Sequence, residues 1–555
     1  MRWEFRVTCL ALMANIGLTG AHRACADDLL RDLQTAAIVR DSSPIGHWGP
    51  NPAAYTGWGT HSNRLIPVYT FGTTRSGPGV SLSEYTGANS VYRRAPGLLR
   101  IYQSPPTNTL NPAAEYLDQT ELASIQRAAL AAGKKHIFVV IFDGMDWQTT
   151  WAASTYKSRK VAYREGRGTG LHFQDYTARG TTEFGWMVTT PHNEGTKTDV
   201  DGQRVLNPGG AQRGGYNPLK GGVFPWSTAT DPLYLISKIP SDPKGLGEHA
   251  YPDSAATATA FCSGVKTYND AINIDVEGNQ VATVAHEAQA LGMKIGVVTS
   301  VPISHATPAC AYAHNVNRDD YQDLTRDLVG LPSIAHPQRP LPGVDVLIGG
   351  GAGDSKAEQK EQGANFVPGN LWITPADLQA IDAAHGGRYL VSQRTAGVNG
   401  RMNLLDAAGR AAVENRRLFG FYGNGMFSGH LPFRTADGDY LPTLGRQKKS
   451  ECYFPADLYE NPTLADMTIA ALAVLERSPR GFWLMVEAGD VDWANHDNNL
   501  DNSIGAVLSG DEAVKVVTDW VERHSNWDES LLIVTADHGH YLMLDRPELL
   551  TGERP

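Results

Sequence analysis

Cysteine is scarce in this chain: there are five in 555 residues, and two of them, Cys9 and Cys25, fall in the first 26. The three that follow, Cys262, Cys310 and Cys452, are an odd number that allows one disulfide at most and requires none, which excludes a disulfide-stapled scaffold. Cys262 and Cys310 stand in apolar surroundings, where buried structural thiols are expected. Basic residues are outnumbered, for a formal charge of −11, and no basic stripe is left to hold a nucleic-acid backbone. Long apolar runs are missing too. The run from Val7 to Gly20 is too short to cross a membrane.

That run has a different reading. Arg2 and Arg6 precede it and the small residues Ala24-Cys25-Ala26 follow it before Asp27, the pattern of an export signal over residues 1–26 that implies a periplasmic or extracellular protein. His22-Arg23-Ala24 is a poor lipid-attachment sequence for Cys25. With 41% hydrophobic and 19% charged residues the chain can build a substantial core, in one large or two ordinary domains.

Residues 27–130 are rich in Gly, Pro, Trp, Tyr and Asn, as in His47-Trp48-Gly49-Pro50 and Tyr55-Thr56-Gly57-Trp58-Gly59. The aromatics mark an ordered, loop-rich N-terminal extension rather than a disordered tail, and the residues assign it no chemistry. A catalytic domain is expected over 131–555. Lys135 to Phe142 is β-branched and aromatic without alternation, which predicts a strand buried on both faces. Residues 149–250, with Asn207-Pro208-Gly209-Gly210 and Gly214-Gly215-Tyr216-Asn217-Pro218, read as a long insertion that shapes access to a site. Helical and strand patterns then alternate. A helix over 281–291 precedes a strand over 294–300, and a buried strand over 345–351 ends in glycines that do not continue as a dinucleotide fingerprint. A helix capped by Thr463 and Asp466 leads into a strand at 481–486, and a helix over about 510–523 leads into a strand at 531–535. The fold class is α/β: a doubly wound, mostly parallel central sheet flanked by helices on both faces, with loop-rich insertions.

The strand ends carry the chemistry. Asp143 follows the first strand, Thr307 follows 294–300, Glu487 with Asp492 and His496 follows 481–486, and Asp537 with His538 follows the last strand. Carboxyl ends of strands are where open α/β sheets place ligands. Asp492 and His496 are four apart, so one helical turn puts them on the same face, able to hold one ion between them. Carboxylates packed this closely repel unless a cation offsets them, and the imidazole–carboxylate mixture suits zinc. Ser254, in Tyr251-Pro252-Asp253-Ser254-Ala255-Ala256, sits at the start of a helix that Ser263-Gly264 would stop. There the dipole and free N–H groups favour either a nucleophile or an ordinary cap.

These segments, together with Phe142-Asp143-Gly144-Met145, Gly264-Val265-Lys266-Thr267-Tyr268-Asn269, Ala306-Thr307-Pro308-Ala309, Gly349-Gly350-Gly351, Val486-Glu487-Ala488-Gly489-Asp490-Val491-Asp492 and Thr535-Ala536-Asp537-His538, resemble the metal-dependent alkaline phosphatases of bacteria and animals, in order from Asp143 to His540. The resemblance implies a phosphomonoesterase whose Ser254 is transiently phosphorylated at a site with two zinc ions and one magnesium. It implies that Asp492 and His496 bind the first zinc, that Asp537 and His538 bind the second, and that Asp143 bridges the second zinc to magnesium, whose protein ligands Thr307 and Glu487 complete. Arg318 would clamp two phosphate oxygens, and His540 would hold Asp492 from behind. Small phosphate monoesters are the implied substrates, and a homodimer is the implied assembly.

Three departures stand out. His305 replaces the aspartate of the bacterial pattern, as in animal relatives, and Trp493 replaces a lysine; both predict altered magnesium affinity and pH optimum. The family's first zinc also takes a histidine roughly forty residues beyond the last Asp-His pair, whereas this sequence stops at Pro555. A C-terminal truncation is therefore expected, with loss of core strands and a weakened first zinc site; His430, in Phe427-Ser428-Gly429-His430-Leu431, could substitute in principle, though nothing in the sequence fixes its position. The alternatives are a phosphodiesterase of the same fold, which the absence of a Cys/Ser-x-Pro-x-Arg sulfatase signature and the presence of Arg318 disfavour, and an inactive zinc- or phosphate-binding remnant.

Overall fold

The structure is a computed structural model that describes residues 28–227 and 251–552. The export-signal reading of 1–26 and residues 228–250 of the expected insertion lie outside the described residues.

The core is one ten-stranded sheet whose strands lie in the order Tyr389–Gln393, Arg417–Phe421, Val346–Gly350, Lys294–Pro302, Phe482–Ala488, His136–Phe142, Ser530–Thr535, Ile66–Phe71, Glu183–Val188 and Leu117–Asp118. The first seven are parallel. Their sequences explain the arrangement. His-Ile-Phe-Val-Val-Ile-Phe and Phe-Trp-Leu-Met-Val-Glu-Ala offer apolar side chains to both faces, and every residue of these two strands but His136 is buried. Such runs are stable only with helices on either side. Helices Gly400–Glu414, Leu464–Leu475 and Leu500–His524 pack on one another and on the sheet, and Glu121–Ala131, Ser254–Ser263 and Val284–Ala290 form a second packed group. Gly510 lets the long Leu500–His524 helix lie against the sheet, because a Cβ there would come within 2.3 Å of the Phe142 ring.

The sheet departs from expectation on its far side. Ile66–Phe71 pairs antiparallel with Ser530–Thr535, and Glu183–Val188 pairs antiparallel with Ile66–Phe71. The segment 27–130 and the 149–250 segment thus contribute strands to the same sheet as the residues that follow them, so the sheet runs across residue 130. All six residues of Ile66–Phe71 are buried, because the strand lies between Ser530–Thr535 and Glu183–Val188 inside the sheet, and the short Leu117–Asp118 strand forms the edge on this side. Gly46–Trp48 also pairs with Leu542–Leu544, a second tie between N- and C-terminal residues.

A buried ion pair fastens the N-terminal segment to the loop that follows the Ser254–Ser263 helix. Lys266 Nζ lies 3.0 Å from Asp118 Oδ2, both side chains are fully buried, and Nζ also donates to the Thr190 carbonyl at 2.7 Å. Cys262 and Cys310 are buried, Cys452 is exposed, and all three are free thiols, so no disulfide forms among them.

Candidate metal and phosphoryl-transfer centre

Ser254 is the first residue of the helix Ser254–Ser263, and its cap is Asp253, whose Oδ1 accepts from Ala256 N at 2.8 Å. Gly264, in the left-handed region at φ 75°, ends the helix with its N–H on the Ala260 carbonyl. The cap role therefore belongs to Asp253, and the Ser254 hydroxyl faces the strand tips. Its Oγ lies 3.4 Å from both carboxylate oxygens of Asp143 and 3.2 Å from His538 Nε2.

His538 Nε2 is in turn 3.4 Å from Asp143 Oδ1 and 3.4 Å from Asp537 Oδ2. Asp537 is held by its other oxygen, which accepts from Gly144 N at 2.9 Å, while Oδ2 is buried with no hydrogen-bond partner. Gly144 is required for this approach: it has φ +72°, and a Cβ would meet the His540 ring at 2.7 Å. Four donor atoms, from Ser254, Asp143, Asp537 and His538, thus converge in the buried core with one carboxylate oxygen unsatisfied. A tetrahedral zinc about 2.0–2.1 Å from its ligands sets those ligands about 3.3 Å apart, and the donor set fits it.

Burial and crowding raise the carboxylates. Burial first, then the charges of Asp537, Asp492 and Glu487, push the Asp143 carboxyl well above its ordinary range. Burial lifts Asp537 to about 6 and Glu487 to about 8, and it holds the His538 imidazole well below its usual value. Three carboxyls strained in this direction in one place are a site that a cation would relieve. Next to them Asp143, His305 and Glu487 form a further donor group. Glu487 takes a hydrogen bond from Thr299, and its second oxygen and the Thr307 hydroxyl are both buried without hydrogen-bond partners. These oxygen donors fit a hard cation such as magnesium.

Asp492 and His496 lie on the short helix Asp490–His496, with Oδ1 and Nε2 3.5 Å apart. His540 Nε2 donates to Asp492 Oδ1 at 2.7 Å, the backing contact expected of it. Burial alone would raise the Asp492 carboxyl, but His496, His540 and His61 hold it well below its usual range. Sequence reasoning missed His61. It comes from the extension to which no chemistry was assigned, yet its Nε2 lies 3.0 Å from His496 Nε2 and 3.4 Å from Asp492 Oδ1, with its ring stacked on His538 at 3.7 Å. A lone histidine in Gly59-Thr60-His61-Ser62 carries no spacing signal toward residue 492.

His430 does not join either cluster. It pairs with Glu451 at 2.9 Å and lies 3.8 Å from Asp490, edge-on to Trp493. Burial opposes its charge, but the two carboxylates prevail and raise it to about 9. Arg318 is held by Asp253 Oδ2 at 3.0 Å and reaches His305 Nε2 at 3.3 Å. It opens, with Ser254, His305, Trp493 and the Asp492 cluster, onto a cavity of about 370 Å³. A larger cavity of about 460 Å³ lies between residues 104–109 and 212–217, but no carboxylate–imidazole cluster lines it. Among the described residues no helix is long and apolar enough to cross a membrane.

Comparisons with known proteins identify the family. The family model described as alkaline phosphatase matches residues 238–549. Asp143 and His61 lie outside that stretch, although the fold brings both to the site. The chain is 29% identical over 304 residues to alkaline phosphatase 4 of Bacillus subtilis, covering 55% of this chain and 52% of the relative. It is 30% identical over 303 residues to the alkaline phosphatase of Escherichia coli, covering 53% and 59%, and 31% identical over 311 residues to the membrane-bound alkaline phosphatase of Bombyx mori, covering 52% and 50%. It thus spans about half to three-fifths of the length of these relatives. Among solved structures, the alkaline phosphatase of Thermus thermophilus matches with 23% identity and a TM-score of 0.42, over 73% of this chain and 60% of that one. With more than half of its residues matched by the family model, the chain belongs to the alkaline phosphatase family.

Proposed function

We propose that the protein hydrolyses phosphate monoesters to an alcohol and inorganic phosphate through a phosphoserine at Ser254. The observation that supports this best is the Ser254 hydroxyl at a helix N-terminus, 3.2–3.4 Å from Asp143 and His538 and open to the same cavity as Arg318. Asp143, Asp537 and His538 would hold one zinc, Asp492 and His496 a second, and Asp143, Thr307 and Glu487 a magnesium. Bound there, the ions supply positive charge that offsets the buried carboxylates, eases deprotonation of hydroxyl groups and stabilises the attacking and leaving oxygens.

The remaining roles belong to the chain. Arg318, fixed by Asp253, offers its planar fork to two phosphate oxygens and orients phosphorus toward Ser254. Ser254 Oγ loses its proton and bonds to phosphorus as the ester oxygen departs and takes up a proton to become the alcohol. Water then attacks from the vacated side, the Ser254 P–O bond breaks, and Oγ regains a proton as phosphate leaves. The helix N–H groups beside Ser254 stabilise the negative oxygens in both displacements. Trp493 and His305 stand edge to face with ring centroids 5.9 Å apart where they line the same cavity, and they shape the phosphate's surroundings. The 1–26 pattern supports export to the periplasm or beyond.

The test is hydrolysis of a chromogenic phosphate monoester and of a matched diester, with zinc and magnesium added, beside Ser254→Ala. Monoester turnover that vanishes in the variant and exceeds diester turnover supports the proposal. Equal monoester turnover in the variant would refute the serine's role, and preferred diester cleavage would move the substrate class.

A further inference from the structure

We infer that His61, carried by the N-terminal segment, is the third protein ligand of the metal held by Asp492 and His496. The inference rests on the two-zinc reading above and adds to it a ligand from an unexpected place in the chain.

The donor triangle is the first observation. Asp492 Oδ1, His496 Nε2 and His61 Nε2 stand 3.5, 3.4 and 3.0 Å apart. These edges match the separation of about 3.3 Å between the ligands of a tetrahedral zinc.

The second observation is the direction of the lone pairs. His61 Nδ1 faces the Pro252 carbonyl at 3.0 Å, and His496 Nδ1 faces the Gly59 carbonyl at 2.9 Å. A carbonyl oxygen can only accept, so each Nδ1 carries the proton and each Nε2 turns a lone pair toward the other and toward a carboxylate. Two lone pairs at 3.0 Å repel, and a proton would reconcile only one pair. A cation satisfies all three donors at once. A ligating histidine that donates its other N–H to a backbone carbonyl is also the usual way a metal site fixes its tautomers.

The third observation is that the backbone holds His61 in place. Ser62 N donates to the Gly539 carbonyl at 2.7 Å and Gly539 N returns to the Ser62 carbonyl at 3.2 Å. This bridge extends the pairing of Ile66–Phe71 with Ser530–Thr535 and seats His61 beside His538 and His540. Gly59 adds to the effect, since the segment that offers one ligand also orients another. His540 is a poorer candidate for the third ligand. Its Nε2 already donates to Asp492 at hydrogen-bond distance, and it is not among the residues that line the cavity. Three protein donors on a cavity wall would leave room for substrate or water beside the metal, as a catalytic zinc requires.

The experiment is zinc content and zinc affinity, by elemental analysis and competition with a chromophoric chelator, on the full chain and on His61→Ala and His61→Gln. Glutamine is near in size and keeps a polar group by Pro252, and circular dichroism checks that each variant folds. A second readout is the visible spectrum of the cobalt-loaded proteins. We expect two zinc equivalents in the unmodified protein, one tightly held equivalent in both variants, at least about tenfold weaker uptake of the other, and a reduced tetrahedral cobalt absorption. Two equivalents of unchanged affinity in the folded variants would overturn the assignment of His61 and leave the two-zinc reading standing. An unmodified protein that takes up no zinc would overturn both.

Discussion

The two imidazole–carboxylate clusters have similar spacing and opposite construction. Around Ser254, the donors come from a helix start and two core strand tips, and the side chains of Asp143, Asp537 and His538 are at most 1% exposed. Around Asp492, one donor comes from a loop of the N-terminal segment, and the His61 and His496 side chains are 12% and 37% exposed. The buried cluster is positioned by the rigid sheet before any ion arrives, at the expense of raised carboxyls. The open cluster borders the cavity that Ser254 and Arg318 also line, where a segment that reaches the rim can add a donor. A ligand at the mouth of a site is therefore easier to relocate in the chain than one at a strand tip.

The sharpest break of this contrast is in activity. Asp537→Asn keeps the shape of the buried cluster and removes its charge, and monoester turnover should fall by about 10³-fold or more. His61→Gln should fall less, and part of its loss should return with excess zinc. A loss in His61→Gln as deep as in Asp537→Asn, with no recovery in zinc, would erase the difference between the two clusters.

Chelation comes next. Without metal the folded-state values of Asp537, about 6, and Glu487, about 8, exceed the ordinary carboxyl values. Their contribution to stability is thus complete below pH ~4 and disappears as pH rises through those two values. Chelated protein should therefore lose melting temperature between pH 5 and 8.5, and zinc with magnesium should restore more at pH 8.5 than at pH 5. Thermal scans at both pH values decide; a chelator effect independent of pH would contradict the carboxylate argument.

Lys266 shows how the fold offsets a buried carboxylate without an ion. Lys266→Met leaves the buried Asp118 carboxylate without its counter-charge, with only the Tyr92 hydroxyl and Thr120 as donors, and should destabilise by about 3–5 kcal/mol in denaturant titrations. Its ion pair, unlike the clusters, should be indifferent to chelator.

The smallest effect concerns His430. Its folded value near 9 exceeds the ordinary 6.5, so its bond to Glu451 stabilises fully below pH 6.5 and is lost as pH rises through about 9. His430→Gln should be less stable by up to about 3 kcal/mol at pH 6, and the gap should close by pH 10. Zinc content should not change, and a lost equivalent would return His430 to the list of ligands.

The legible parts of the molecule are those where chemistry and local pattern coincide. Buried runs such as His136–Phe142 end in acids, Asp253 and Gly264 bracket the Ser254 helix, and the four-residue step from Asp492 to His496 is a helical turn. The Ile66–Phe71 strand was hidden because Pro67 and a surround of glycines and tryptophans imitate loop sequence, and because both its partners, Glu183–Val188 and Ser530–Thr535, are distant in the chain. The Glu183–Val188 strand lay inside what composition marked as an insertion. His61 had no motif at all. Its place beside Asp492 and His496 follows from an antiparallel register, which a single sequence does not display.

That register also sets an order of events in the life of the chain. The Thr535 hydroxyl bonds to the Pro67 carbonyl across 468 positions, so in a polypeptide delivered from its N-terminus the Ile66–Phe71 strand can meet Glu183–Val188 early but lacks its second partner, Ser530–Thr535, until that late segment has emerged. Such distant pairing is slow, and the waiting strand is open to wrong partners. His61 reaches His496 only after this closure. On the proposed zinc reading, metal loading would come last in maturation, a seal on a chain already folded rather than the seed around which it folds.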